Sequence, residues 1–376
     1  MSFEGKIEQL IESSAAVFKD CALDNGAILA ANSDNPVYPE TAVNYRYVWP
    51  RDAAFVIYAA ERLGMSPDIK TNFVGWLLDR AEDFSQTGTI IKRYSTNGRH
   101  DLAYGAHYQP DQAGAMLWAL HSTTEDPDKK IDEAIQLLAT GLSRQWQADH
   151  FSHPLSAELS IQDLWEDQEI ASDEPAVFTY SLATAIRGLE QASIRLGDEA
   201  GAIADDWAET TASMRAVLGS AASQLYYPWK IPLQTGDRAI DASQSGLVWP
   251  FKTAAYEVDP KASDTLHKIE ETLYDPRSGT KRFAGDTYDG VLSSTSLTTE
   301  AGTWPLLSFW QAIALSKAGS TQKAREIYQQ TLEMIPDDCI PEQILPAGRS
   351  ERPPTPLAWA HAMFILASGE LGYLES

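Results

Sequence analysis

Four short segments set carboxylates and cations beside aromatic rings in a way that a purely structural scaffold does not require. The first runs Tyr45-Arg46-Tyr47-Val48-Trp49-Pro50-Arg51-Asp52. Arg51 and Asp52 together offer donors and acceptors to vicinal hydroxyl groups, and Trp49 offers a face on which a ring can stack. The same residues would also make an ion pair at a helix start, with Asp52 as cap and aromatics packed around it. The second segment is Asp163-Leu164-Trp165-Glu166-Asp167-Gln168-Glu169. A carboxyl beside an indole is expected to be desolvated, which raises its pKa and keeps a proton available near neutral pH. The competing reading is a solvated acidic loop.

The third segment, Arg282-Phe283-Ala284-Gly285-Asp286-Thr287-Tyr288, is followed by Glu300-Ala301-Gly302-Thr303-Trp304 just before another helix. It reads equally as a surface loop with a Gly-Thr helix start. The fourth is Ile340-Pro341-Glu342-Gln343, with Leu357-Ala358-Trp359 after it. Pro341 restricts the backbone ahead of Glu342, and Gln343 can help orient the carboxylate. Other chemistries find less support. His150 and His153 lack a third ligand nearby, so no metal and no cofactor are expected. Zinc-protease, nucleophile-elbow, Walker and dinucleotide motifs are missing from the sequence. His361 falls in an apolar helical pattern and reads as structural, and Asp111 reads as a first-turn acid.

The elements that must hold these segments are helices. Apolar positions recur at three- and four-residue steps over Ala53–Leu63, Lys70–Phe84, Asp111–His121, Ile131–Gln145, Glu174–Leu196, Ala200–Leu225, Ser263–Leu273, Gly302–Ala318, Thr321–Glu333 and Pro356–Leu371. Ser66-Pro67, Pro110-Asp111 and Thr355-Pro356 carry start signals. Met1–Lys19 reads as an amphipathic helix, not a signal peptide. Alternating strand patterns are nearly absent. No Gly/Ser or Pro linker divides the chain. The expectation is therefore an all-α single domain over residues 1–376, a ring of helical hairpins whose loops gather at one end.

Composition narrows the partners. Among 376 residues, 29 are basic and 53 acidic, a net charge of -24 that leaves no basic stripe for nucleic acid. No stretch reaches the ~20 apolar residues that span a bilayer, so no membrane association is expected. Cys21 and Cys339 read as reduced thiols of a cytoplasmic protein. Oligomeric state is not legible. The 11 tryptophans fit a neutral sugar better than an ionic substrate.

In this order, the four segments resemble the glucoamylase family of glycoside hydrolases, family 15. Tyr45, Tyr47, Trp49, Arg51 and Asp52 match its Tyr-x-Tyr-x-Trp-x-Arg-Asp setting, and Asp163-Leu164-Trp165-Glu166-Asp167 matches its acid motif. At the last position Asp stands for the family's Glu, which shortens the reach toward the leaving-group sugar. The resemblance covers about Tyr45 to Leu371 and implies a single (α/α)6 barrel. It implies that Glu166 is the general acid and Glu342, ahead of the last helix, the general base. The two would stand ~6.5–9.5 Å apart for inversion. It further implies that Tyr45, Trp49, Arg51, Asp52, Asp163, Trp165, Asp167, Arg282, Tyr288 and Trp304 bind substrate. The implied activity is exo-acting release of β-glucose from maltooligosaccharide or isomaltose-type α-glucosides. Trehalase-type activity on the same barrel and a non-catalytic carbohydrate sensor are the alternatives. Without the accessory β-sandwich or starch-binding module of some relatives, short soluble oligosaccharides are the expected substrates.

Overall fold

The computed structural model describes residues 2–65, 68–101, 107–221, 224–253, 259–292, 300–336 and 338–374. Among the described residues twelve α-helices follow in order: α1 Phe3–Cys21, α2 Pro50–Arg62, α3 Asp68–Arg80, α4 Phe84–Thr87, α5 Pro110–Ser122, α6 Lys129–Arg144, α7 Thr179–Ala200, α8 Ala202–Ser220, α9 Pro260–Leu273, α10 Pro305–Lys317, α11 Thr321–Met334 and α12 Ala358–Glu370. A 3-10 segment, Ala242–Leu247, stands between α8 and α9. Three antiparallel pairs of very short strands decorate the loops: β1 Ser160–Gln162 with β2 Glu169–Ala171, β3 Val177–Phe178 with β4 Lys230–Ile231, and β5 Tyr274–Asp275 with β6 Gly279–Thr280.

Packing closes a ring. Helix α2 packs on α5, α5 on α7, α7 on the 3-10 segment, that segment on α10, α10 on α12, and α12 back on α2. Helices α1, α3, α6, α8, α9 and α11 lie outside this ring, each against an inner member. The result is an (α/α)6 barrel in which a single 3-10 segment takes one inner place. Inner helices α5 and α12 are surrounded and buried nearly throughout, α5 from Pro110 to Leu120 and α12 from Ala358 to Ser368. Outer helices are amphipathic instead. In α6 the buried residues Ile131, Ala134, Ile135, Leu138, Ala139 and Leu142 form one stripe. Among the described residues no helix is long and apolar enough to cross a membrane.

All six inner segments direct their N-termini to the end of the ring where the chemical segments lie. Trp49, Gln109 and Trp304 each precede a proline that opens α2, α5 and α10, where the missing N–H costs nothing and φ is already helical. The start expected at Pro110 is therefore found. The signal at Ser66-Pro67 lies outside the described residues. Helix α12 begins at Ala358, after Leu357, rather than at Thr355-Pro356.

Close approach of α5 and α7 depends on glycine. A Cβ on Gly114 would stand 2.5 Å from the Thr184 carbonyl, while one on Gly75, on the outer helix α3, would meet nothing within 4 Å. Gly114→Ala should therefore lower stability by about 1–3 kcal/mol through overpacking. Gly75→Ala should be neutral or stabilising by about 0.5–1 kcal/mol. Thermal melting of the two variants beside the parent checks the contrast, and equal melting temperatures would contradict the packing.

A candidate active site at the N-terminal end of the inner ring

The segment before α2 crosses the mouth of the ring and touches both expected catalytic glutamates. The Trp49 Nε1–H donates to Glu166 Oε1 at 2.7 Å, and the Tyr45 hydroxyl donates to Glu342 Oε1 at 2.7 Å. The rings of Tyr45 and Trp49 lie 5.5 Å apart, edge to face. Tyr45 also shares a 2.5 Å hydrogen bond with Tyr288. Next along the chain, Arg51 is buried. It pairs with Asp111 at 2.9 Å and Asp52 at 3.1 Å, and its guanidinium lies 5.0 Å from the Trp359 ring centre. Its own N–H donates to Gln112, Gln112 donates to Gln109, and Gln109 donates to the carbonyl of Asp163. One network thus ties α2 to α5 and to the loop bearing Glu166.

That loop is the turn of the β1–β2 hairpin. Pairing of Gln162 with Glu169 leaves Asp163 to Gln168 to reverse the chain. The Asp163 Oδ1 accepts the N–H groups of Asp167 and Gln168, and Glu166 sits at φ +61°, a left-handed backbone that a non-glycine residue holds only when its surroundings enforce it. Glu342 is fixed from the opposite side. Its N–H donates to Pro354 and the flanking Ile344 exchanges hydrogen bonds with Thr303. His361 of α12 accepts the N–H of Ile340 at Nε2 and contacts Ser14 at Nδ1, so the ring is a satisfied structural group, pushed down to about 3 by burial.

Between these supports lies a pocket of about 540 Å³. Tyr45, Trp49, Arg51, Asp52, Trp165, Glu166, Asp167, Arg282, Tyr288, Trp304 and Glu342 all line it. Asp163 does not: it is 1% exposed and serves the loop beneath. A larger, polar cavity of about 1030 Å³ opens among the C-terminal turns of the inner helices, and none of the four chemical segments reaches it. Arg282 forms a two-pronged pair with Asp286, at 2.7 and 2.6 Å, and lies about 5.0 Å from both Tyr288 and Trp304 ring centres.

Electrostatics of the two glutamates run against the expectation for Glu166. Burial pushes its carboxyl up, but the Lys92 ammonium at 2.9 Å, with Arg93 and the Trp49 N–H, holds it below its ordinary value. The indole of Trp165, expected to desolvate Glu166, donates instead to Asp241 at 2.8 Å. Glu342 is raised to about 7 by burial, which its Tyr45 and Gln343 hydrogen bonds and nearby Arg282 only partly offset. Asp52 is likewise raised to about 6, by burial against the pull of Arg51 and with Glu166 adding to the rise. Of the two, Glu342 therefore keeps its proton to higher pH than Glu166. Among the described residues no group of three or more His, Cys, Asp or Glu is arranged to hold a metal ion.

A wild-type glycosidase structure superposes with a TM-score of 0.78 at 20% identity, over 99% of this chain and 98% of its own. The glucoamylase of Saccharomycopsis fibuligera gives 0.72 at 13% identity, over 100% of this chain and 96% of its own. The chain has the glucoamylase-like fold. No family model matches it. An uncharacterized glycosyl hydrolase of Methanocaldococcus jannaschii is 23% identical over 371 residues, 91% of this chain, and the chain spans about half of that relative, 52%. The isomaltose glucohydrolase of Kribbella flavida is 24% identical over 381 residues, 90% of this chain and 88% of its own. A glycosidase variant in complex with glucose superposes at a TM-score of 0.75 and 19% identity, over 99% of this chain and 98% of its own.

On this glucoamylase-like barrel, sequence reasoning missed Lys92, Arg93, Trp359 and Tyr47 as pocket residues and Arg238 beneath it. Lys92-Arg93 had a signal, two adjacent cations between apolar Ile90-Ile91 and Tyr94 in an acidic chain. Arg238 had none. Since Lys92 is buried against Glu166, Lys92→Met should raise the Glu166 titration toward or above the usual carboxyl range. Carbon-13 NMR of the carboxyl groups checks this, and an unmoved Glu166 signal would contradict the assigned cause.

Proposed function

We propose that the chain is an inverting glycoside hydrolase that releases β-glucose from the non-reducing end of α-linked gluco-oligosaccharides. The observation that carries this reading is one pocket lined by two carboxyls, Glu166 and Glu342, together with Arg51, Asp52 and the rings of Tyr45, Trp49, Trp165 and Trp304. The glucose complex of a similar glycosidase and the isomaltose glucohydrolase relative support a glucosyl substrate. Arg51 and Asp52 hold the hydroxyls of the terminal glucose, and the ring stands among Tyr45, Trp49, Trp165 and Trp304. Because the inner ring is filled beneath these residues, the sugar enters by one end only, which makes the action exo.

In the chemical step Glu166 gives its proton to the glycosidic oxygen as the bond to the anomeric carbon breaks. Glu342 takes a proton from the water that attacks the opposite face of that carbon, so the α-linkage yields a β-hemiacetal. This needs the proton on Glu166, whereas the empty pocket favours it on Glu342. Both arrangements carry one proton per pair, so their ratio is independent of pH and the reactive one is a minor form in the free protein. Substrate between the two carboxyls shifts the balance by giving the Glu166 proton an acceptor.

Two measurements test the reading. Proton NMR of a digest of maltose, isomaltose, panose and trehalose should show β-glucose first; initial α-glucose would refute inversion, and binding without turnover would favour the sensor alternative. Glu166→Gln and Glu342→Gln should each cost at least about 10²-fold in kcat. The pH profile should be bell-shaped. Activity falls as pH rises through about 7, where Glu342 loses the last proton of the pair, and falls in acid, below the usual carboxyl value, where Glu166 gains a second one. A plateau extending well above pH 7 would contradict the shared-proton scheme.

A further inference from the structure

The loop that bears Glu166 rests on a group from a distant part of the chain. Arg238 follows β4 and enters beneath the hairpin turn. One nitrogen of its guanidinium, Nη2, pairs with Asp167 Oδ2. The other, Nη1, lies 3.1 Å from Asp241 Oδ2 and 3.8 Å from Asp163 Oδ2. The guanidinium carbon stands 3.5 Å from the ring centre of Phe283 and 4.3 Å from that of Trp229, so two aromatic rings hold the group. Each of the three carboxylates has a task in the pocket wall. Asp163 binds the N–H groups of Asp167 and Gln168, Asp241 binds the Trp165 indole and caps the 3-10 segment, and Asp167 lines the pocket mouth.

We propose that Arg238 is the positioning residue that holds Glu166 and Asp167 in register with the bound sugar, by bridging the carboxylates of Asp163, Asp167 and Asp241. This rests on the glycoside hydrolase reading for its kinetic consequences, though not for its structural ones. Without the cation, three acidic groups would face one another with two of them, Asp163 and Asp241, almost wholly buried. Like charges withdrawn from water repel strongly, and they relieve the repulsion by taking up a proton or by parting. Parting would let Glu166 leave its left-handed backbone. A lysine cannot substitute, because a single ammonium does not present a planar fork to several carboxylates or stack between two rings.

Asp167 lines the pocket beside Glu166, so the same cation governs two kinetic constants by separate routes. Loss of Glu166 alignment lowers kcat, and loss of Asp167 alignment raises KM for a disaccharide.

Arg238→Ala is the test, with Arg238→Lys beside it in case the alanine variant does not fold. Hydrogen exchange over residues 163–168 should rise in either variant while exchange over α5 and α12 stays at the parent level. Under the turnover assay kcat should fall on the order of 10²-fold, the scale of a small misplacement of a catalytic group. KM for maltose or isomaltose should rise as well. Millimolar guanidinium should restore part of kcat to Arg238→Ala, whereas equal ammonium should not. Unchanged exchange over the loop, or rescue by guanidinium no better than by ammonium, would overturn the proposal. If the parent protein hydrolyses none of the glucosides, the reaction reading falls, and the exchange measurement still decides the role of Arg238.

Discussion

The buried guanidinium of Arg51 is the constraint around which the pocket end of the barrel is organised. A cation withdrawn from water is tolerable only with carboxylates and acceptors arranged around it. Here Asp52 comes from the same helix, Asp111 from α5, and the ring of Trp359 from α12. Satisfying one group therefore fixes the relative placement of three inner helices. Because Gln112 and Gln109 continue the network to the carbonyl of Asp163, the same constraint sets where the β1–β2 hairpin begins. Glu166 inherits its place from a charge that it never touches.

Below that network the ring is closed by aromatic side chains. Trp359 packs near Phe55 and Trp310, and Phe55 in turn packs on Trp118, with ring centres between 5.1 and 5.9 Å apart. This column fills the interior, makes the pocket blind and supplies its floor. It also removes water from one side of every group in the pocket, so burial raises Asp52 and Glu342 and pushes Glu166 up against the cations that hold it down. What distinguishes the two glutamates is the neighbour: an ammonium for Glu166, and phenolic and amide hydrogen bonds for Glu342. Such divergence is the means by which two identical carboxyl groups take different roles.

Much of this was legible in the chain. Three- and four-residue apolar spacing located nearly every helix, because burial of one face is a local property of the sequence. Motifs around Arg51, Glu166 and Glu342 marked the pocket. One inner place was not legible as a helix. Ala242–Leu247 forms a 3-10 segment whose closeness to Tyr180 and Trp310 leaves no room for a Cβ on Gly246. That limit comes from neighbours distant in sequence.

The sequence by itself determined the helical class, which follows from side-chain type and short-range spacing, and through the family resemblance it named about half of the residues that line the pocket. Only the tertiary structure decided which neighbours those residues meet. It put Lys92 rather than Trp165 against Glu166, and so lowered a carboxyl that its adjacent residue was expected to raise. It turned Asp163 away from the pocket to hold the loop, and it brought Arg238 to three carboxylates. Electrostatic environment depends on distance through space and on exclusion of water, and neither is encoded by position along a chain.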